Sequence, residues 1–134
     1  MNRNEKKRYL QGYQNAIINL EKLQEEYETV FTQATKIVPE LSGMPSSNVK
    51  DDKMLKYSIK LAEISAKIKR VKGKISKIDK ELANLRPYHK QLIEMTDINR
   101  FPIALVAQKM QLTEHAVRTK RNRIIDKMFL QRDN

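Results

Sequence analysis

The sequence predicts an all-α protein of two parts: a long antiparallel, coiled-coil-like helical hairpin over residues 1–85 and a small three-helix headpiece over residues 86–134. Three observations predict it. Two long stretches place apolar residues at alternating steps of three and four, the period of a helix that buries one stripe. A segment rich in turn residues divides those stretches, and Pro87 follows the second. No segment alternates apolar and polar residues as a half-buried strand would. With 134 residues, the chain suffices for one ordinary domain, or for a small domain carrying an extended element.

The first helix begins near Leu10 and runs Leu10, Tyr13, Ile17, Leu20, Tyr27, Phe31, Ala34, Val38 along its seam, with Gln24 as a polar interruption. Leu23, Val30 and Ile37 add a flanking apolar row. The buried stripe is therefore wider than one partner helix needs, which points to self-association of the hairpin as a homodimer. Glu21, Glu25, Glu26 and Glu28 fall mainly on the remaining faces as a solvated surface. Pro39 and the segment LSGMPSSNVKDD at residues 41–52 end this helix, and Ser47, Asn48 or Asp51 could cap the next. So short a connection makes an antiparallel pairing natural.

The second helix has the cleanest period in the chain: Met54, Tyr57, Leu61, Ile64, Ile68, Val71, Ile75, Ile78, Leu82, Leu85. Lys53, Lys60, Lys67 and Lys74 form one row beside this seam and read as its charged margin rather than as a DNA contact. Gly73 is a mild defect in a good helix.

Pro87 is tolerated in a first helical turn, so PYHKQLIEMTD at residues 87–97 reads as a short helix burying Tyr88, Leu92 and Met95. After a connection over residues 98–101, Pro102 starts another helix with Ile103, Val106, Ala107 and Met110 inward. The stretch AQKMQLTEHAVRTKRNRIIDKM at residues 107–128 then has the grammar of a helix-turn-helix. Small Ala107 permits a close crossing, while Met110, Leu112 and Val117 fill the space between the helices. Thr113 caps the second helix, and Ile124, Ile125 and Met128 continue its inner face. Gln111 stands at the turn, where a positive φ would cost a non-glycine residue. Residues 130–134 are expected to fray.

Arg118, Lys120, Arg121, Arg123 and Lys127 outweigh Glu114 and Asp126 on the last helix, a field suited to a polyanion. The candidate DNA-binding set is Thr113, Glu114, His115, Arg118, Thr119, Lys120, Arg121, Asn122 and Arg123. Within it, Arg118 is the first choice for base readout, because a guanidinium pairs bidentately with guanine. Lys120, Arg121 and Arg123 are placed for phosphate, which gives affinity without sequence information. The plainer reading is a solvated basic helix; the turn and the preceding helix favour double-stranded DNA.

The whole chain carries a formal charge of +11, unevenly spread. Lys and Arg number 6 against 6 acids over residues 1–49, 11 against 5 over 50–85, and 10 against 5 over 86–134. Nucleic acid suits this footprint, although an anionic membrane or acidic protein would also be attracted. There is no Cys, so disulfides and thiolate metal sites are excluded. His89 and His115 lack surrounding acids, and no nucleophile constellation, paired carboxylates or Gly-rich phosphate loop is present, so neither an enzyme nor a cofactor is expected. No apolar run has the length of a membrane span and the N-terminus lacks a signal-peptide core, so a cytoplasmic protein without membrane contact is expected.

The headpiece is similar to the fourth region of sigma factors, through Ala107, Gln111, Leu112, Thr113 and Val117 at that motif's spacing. The architecture resembles the ArpU/RinA-type late transcription regulators of phages of Gram-positive bacteria, in its long helical hairpin, its LSGMP segment at residues 41–45 and its sigma-like helix-turn-helix. What the resemblance implies is a sequence-specific activator of late phage genes acting in the bacterial host, with host RNA polymerase or another regulator protein as a further partner. Two other readings stay open. A small terminase subunit also joins a helix-turn-helix to oligomerising helices, and a degenerate helix-turn-helix can serve as a protein-interaction module.

Overall fold

The computed structural model describes the backbone of residues 1–41 and 48–130, and the side chains outside residues 37–51 and 131–134. The chain is all-helical, with no strand among the described residues. In order come α1 (Arg3–Gln11), α2 (Tyr13–Leu41), α3 (Asn48–Ala83), α4 (Pro87–Ile93), a π-helical turn (Glu94–Ile98), α5 (Ile103–Met110) and α6 (Glu114–Lys127). No described helix is long and apolar enough to cross a membrane.

The first helix begins earlier than its apolar seam indicates. Asn2 caps α1 by accepting from the Glu5 amide at 2.9 Å, and its own side-chain amide donates to the Glu5 carboxylate at 3.2 Å. The first of these bonds satisfies a backbone donor that would otherwise be orphaned. Gly12 scarcely interrupts the path, since its amide still reaches Arg8 O at 3.1 Å and its carbonyl still accepts from Ala16 at 2.9 Å.

The contacts divide into two compact units, one made of Met1–Ala16 with Lys74–Asn134 and the other of Ile17–Gly73. The boundary expected between residues 85 and 86 therefore runs through the first unit. Its main core joins Leu10 of α1 and Ile78 and Leu82 of α3 to Leu92, Ile93, Ile98, Ile124, Ile125, Met128 and Phe129. Apolar burial is non-directional and indifferent to chain order, so the ends of the long helices complete this core. Tyr9 meets Phe129 edge to face at 5.3 Å, and Lys77 lies within 5.8 Å of both ring centroids.

The second unit packs Leu23 and Val30 of α2 around Ile64 of α3, with Tyr27, Tyr57, Leu61, Ile68 and Val71 partly covered. Here the structure corrects the seam. Leu23 and Val30, expected on the flank, are buried, whereas Phe31, expected inside, is 51% exposed and stacks on Tyr27. One helical step of about 100° separates Val30 from Phe31, so a narrow two-helix contact covers only one of them.

Three smaller expectations also change. α2 continues past Pro39 to Leu41, and Asn48 and Asp51 lie within α3 rather than before it. Ser47 and most of the LSGMP segment lie outside the described residues. Tyr88 is 41% exposed, because α4 turns Leu92 and Ile93 inward instead. Leu10 is fully buried in the shared core. Truncating it to Ala should therefore cost about 2–5 kcal/mol in urea unfolding followed at the last helices. An effect confined to residues 1–16 would contradict the shared core.

Candidate nucleic-acid interface

The last two helices are set by a short turn whose chemistry is local. α5 stops where Gln111 takes a left-handed conformation, with φ 57° and ψ 45°. The Leu112 amide then reaches back to Ala107 O at 2.9 Å, closing the helix with a six-to-one bond. Thr113 has extended backbone and caps α6, its hydroxyl accepting from the Ala116 amide at 3.1 Å. Val106, Ala107, Val117 and Met95 close over this turn, with Phe101, Ile103, Met110 and Leu112 around them. The expected inward residues of α5 and the expected cap are thus the ones found.

α6 turns Val117, Ile124 and Ile125 inward, with Met128 just beyond its end. Of the sequence-selected set, Thr113, Glu114, His115, Arg118, Lys120 and Arg123 are exposed, while Thr119 and Asn122 are half-buried. At about 100° per residue, His115, Arg118, Thr119 and Asn122 share the side of the helix away from Val117 and Ile124. Lys120, Arg123 and Lys127 lie to one flank.

Arg121 does not belong with the expected phosphate contacts. Its Nε donates to Asp97 Oδ2 at 2.9 Å and its terminal amine to Asp97 Oδ1, a bidentate pair inside the fold. Asp97 is fully buried, and the Thr96 hydroxyl lies 2.9 Å from Oδ2, the oxygen that also accepts from Arg121 Nε. Such a carboxylate must be paired, and Arg121 is the residue of α6 that reaches it. The π-helical turn explains how Asp97 comes inside: the Asn99 amide bonds to Glu94 O at 2.7 Å, and Met95, Thr96, Asp97 and Ile98 are all buried in succession.

α1 supplies neighbours that sequence reasoning missed. Arg3 grips Asp126 through Nε at 2.9 Å and Nη2 at 2.6 Å, and the nearly buried Lys6 donates to the Asp126 carbonyl at 3.0 Å. A cation at the carboxyl end of α6 also suits the helix dipole. The Arg3 guanidinium holds the Asp126 carboxyl below its ordinary range. Lys7 is pulled below its usual value by burial and then by the nearby Arg121 charge. The only sequence signal for this placement is the Asn2-x-x-Glu5 cap, which announces a helix but not its docking.

On the other flank, Leu85, Tyr88 and His89 face Lys120, Arg123, Ile124 and Lys127 across a groove of about 330 Å³. The Lys120 ammonium sits 5.2 Å from the Tyr88 ring centroid. Among the described residues, none of these three cations has a carboxylate partner within 4.0 Å. With Asp97 and Asp126 already neutralised, α6 keeps Arg118, Lys120, Arg123 and Lys127 as outward cations. The compact unit around it holds 17 Lys and Arg against 8 Asp and Glu, a formal +9 of the chain's +11.

Two substitutions test how α6 is held. Asp97→Ala leaves Arg121 unpaired and should cost about 3–5 kcal/mol in denaturant unfolding; an effect below 1 kcal/mol would mean that the pair is not a structural clamp. Gln111→Gly relieves the left-handed backbone and should raise stability by about 1 kcal/mol, and a loss would show that the Gln111 side chain contributes more than its backbone costs. Comparison with protein-family models, with curated proteins and with solved structures finds no match to this chain.

Proposed function

We propose that this protein is a sequence-reading regulator of transcription that binds double-stranded DNA, with α5, the Gln111–Leu112 turn and α6 acting as a helix-turn-helix. The observation that carries the reading is the division of α6 into two faces. Its apolar side chains and Arg121 are committed to the fold, while Arg118 and Lys120 in the Thr113-capped N-terminal half, and Arg123 and Lys127 beyond it, are exposed. A helix of this kind can enter the major groove with its N-terminal residues against base edges. The concentration of positive charge in the same compact unit supplies sequence-independent attraction to phosphate.

The roles divide by position. Arg118 is the base-reading residue, with His115, Thr119, Asn122 and Glu114 as the polar groups around it. Lys120 and Arg123 contact phosphate. Arg121 positions α6 from behind through Asp97 and is withdrawn from the contact set. The resemblance to phage late regulators extends the proposal to late-gene activation in a bacterial host. The apolar walls of Leu85, Tyr88 and Ile124 in the flanking groove favour host RNA polymerase or another regulator as a second, protein contact.

Selection of bound fragments from a phage-genome library at near-physiological salt, followed by sequencing, should enrich one site or repeat. Fluorescence anisotropy on that site should then show Arg118→Ala losing about 1–3 kcal/mol of discrimination against altered sites. Lys120→Ala or Arg123→Ala should weaken binding to all sequences alike and reduce the salt slope by about 1. Binding without any enriched sequence, or an Arg118→Ala variant that discriminates as the parent does, would overturn the base-reading assignment.

A further inference from the structure

The groove between α4 and α6 lies within one compact unit and has two unlike walls. One is apolar and aromatic, made by Leu85, Tyr88 and His89 with Ile124 beside them. The other is a row of cations, Lys120, Arg123 and Lys127. Their spacing of three and four residues puts them on one stripe of α6, with Lys120 and Lys127 about 20° apart and Arg123 within about 60° of both. The row runs over about 10 Å of helix. No Asp or Glu lines the groove, and among the described residues no carboxylate lies within 4.0 Å of any of the three charges. Tyr88 is 41% exposed, and the Lys120 ammonium stands 5.2 Å from its ring centroid, so one ligand can reach both walls.

Like charges three and four residues apart repel one another, so the row favours a ligand that neutralises it. The candidate occupants differ in how much of the groove they satisfy. A nucleic-acid backbone meets the cations but sets charged phosphates against Leu85, Ile124 and the Tyr88 ring. An apolar segment covers that wall but leaves the charges desolvated and unpaired, which is costly. A helix with carboxylates at steps of three and four, beside a row of apolar side chains, satisfies both walls. Its own period repeats that of the cations, and its apolar row meets the aromatic wall.

From this complementarity we infer that the groove is the docking site for an acidic amphipathic helix of a partner protein, and that this helix and DNA exclude one another. The occupant is argued from the groove alone and gives a chemistry to the second, protein contact. The exclusion rests on the DNA reading, which assigns Lys120 and Arg123 to phosphate. A cation neutralised by a partner's carboxylate is not available to a phosphate, so each ligand weakens the other by the same factor. The partner thus controls DNA binding without touching Arg118, which lies on the opposite flank of α6 from Lys120 and Lys127.

Fluorescence anisotropy on the full chain tests both parts with two labelled peptides of about 15 residues and identical Glu, Ala and Leu composition. One is ordered so that Glu and Leu form adjacent helical rows, and the other is scrambled. At near-physiological salt the ordered peptide should bind about tenfold more tightly or better, because equal charge leaves the amphipathic face as the difference. Tyr88→Ala should weaken it about tenfold while changing DNA affinity by less than about twofold, and Lys127→Glu should weaken it by about as much. Lys120→Ala should weaken peptide and DNA together, and excess ordered peptide should displace labelled DNA. Circular dichroism of each variant checks that it is folded. Equal binding of the two peptides, binding of neither, or an ordered peptide indifferent to both Tyr88→Ala and Lys127→Glu would overturn the occupant. Peptide and DNA held together with no loss of affinity for either would overturn the exclusion. A chain that bound the ordered peptide but no DNA would end the DNA reading and the exclusion with it, while supporting the occupant.

Discussion

Asp97 and Arg121 form the interaction on which the arrangement of the last helices depends. A fully buried carboxylate has no stable place in a protein unless its charge is met and its oxygens are hydrogen-bonded. The π-helical turn carries Asp97 inward, Thr96 lies against one oxygen, and the Arg121 fork takes both. Planar guanidinium geometry fixes direction as well as distance, so α6 is held in rotation about its own axis as well as in place. Arg123, on the far side of α6 from Arg121, then faces outward as a consequence. The outward set is thus chosen partly by an ion pair and not by apolar burial alone.

A second constraint fixes the far end of α6. Arg3 and Lys6 of α1 bind the side chain and the carbonyl of Asp126, and Leu10 enters the same core as Ile124 and Ile125. These contacts remove an acid from the field of α6 while keeping its other cations outward. The surface ion pair adds little stability by itself. Its contribution is to the charge of that face: Asp126, paired with Arg3, no longer offsets the cations beside it.

Much of this was legible from residue spacing. The two long helices, the inward residues Val106, Ala107 and Val117, and the Thr113 cap follow from period and capping chemistry, which are local properties. The left-handed turn at Gln111 was legible as a position, although Gln gives no conformational signal there. What the sequence hid is long-range. Nothing around Arg121 distinguishes it from Lys120 or Arg123 until Asp97, 24 residues away, is brought against it. Tyr88 looks like a core residue by type, and only the choice of Leu92 and Ile93 for the inner face leaves it outside. The seam of α2 was misjudged between Val30 and Phe31 because both rows have helical spacing, and which row is buried depends on the partner helix. The role of α1 was missed for the same reason: Leu10 belongs to a heptad by period and to another core by contact.

The shared core of Met1–Ala16 with Lys74–Asn134 has a kinetic consequence. Its two pieces are separated along the chain by the whole of the second unit, so bringing them together closes a long loop before any of their mutual contacts is gained. Pairing of α2 with α3 shortens that loop by local steps and brings Ala16 towards Lys74. During synthesis α1 is made before α6, against which it packs. Leu10 therefore gains its contacts with Ile124 and Ile125 only after the residues of α6 have been made.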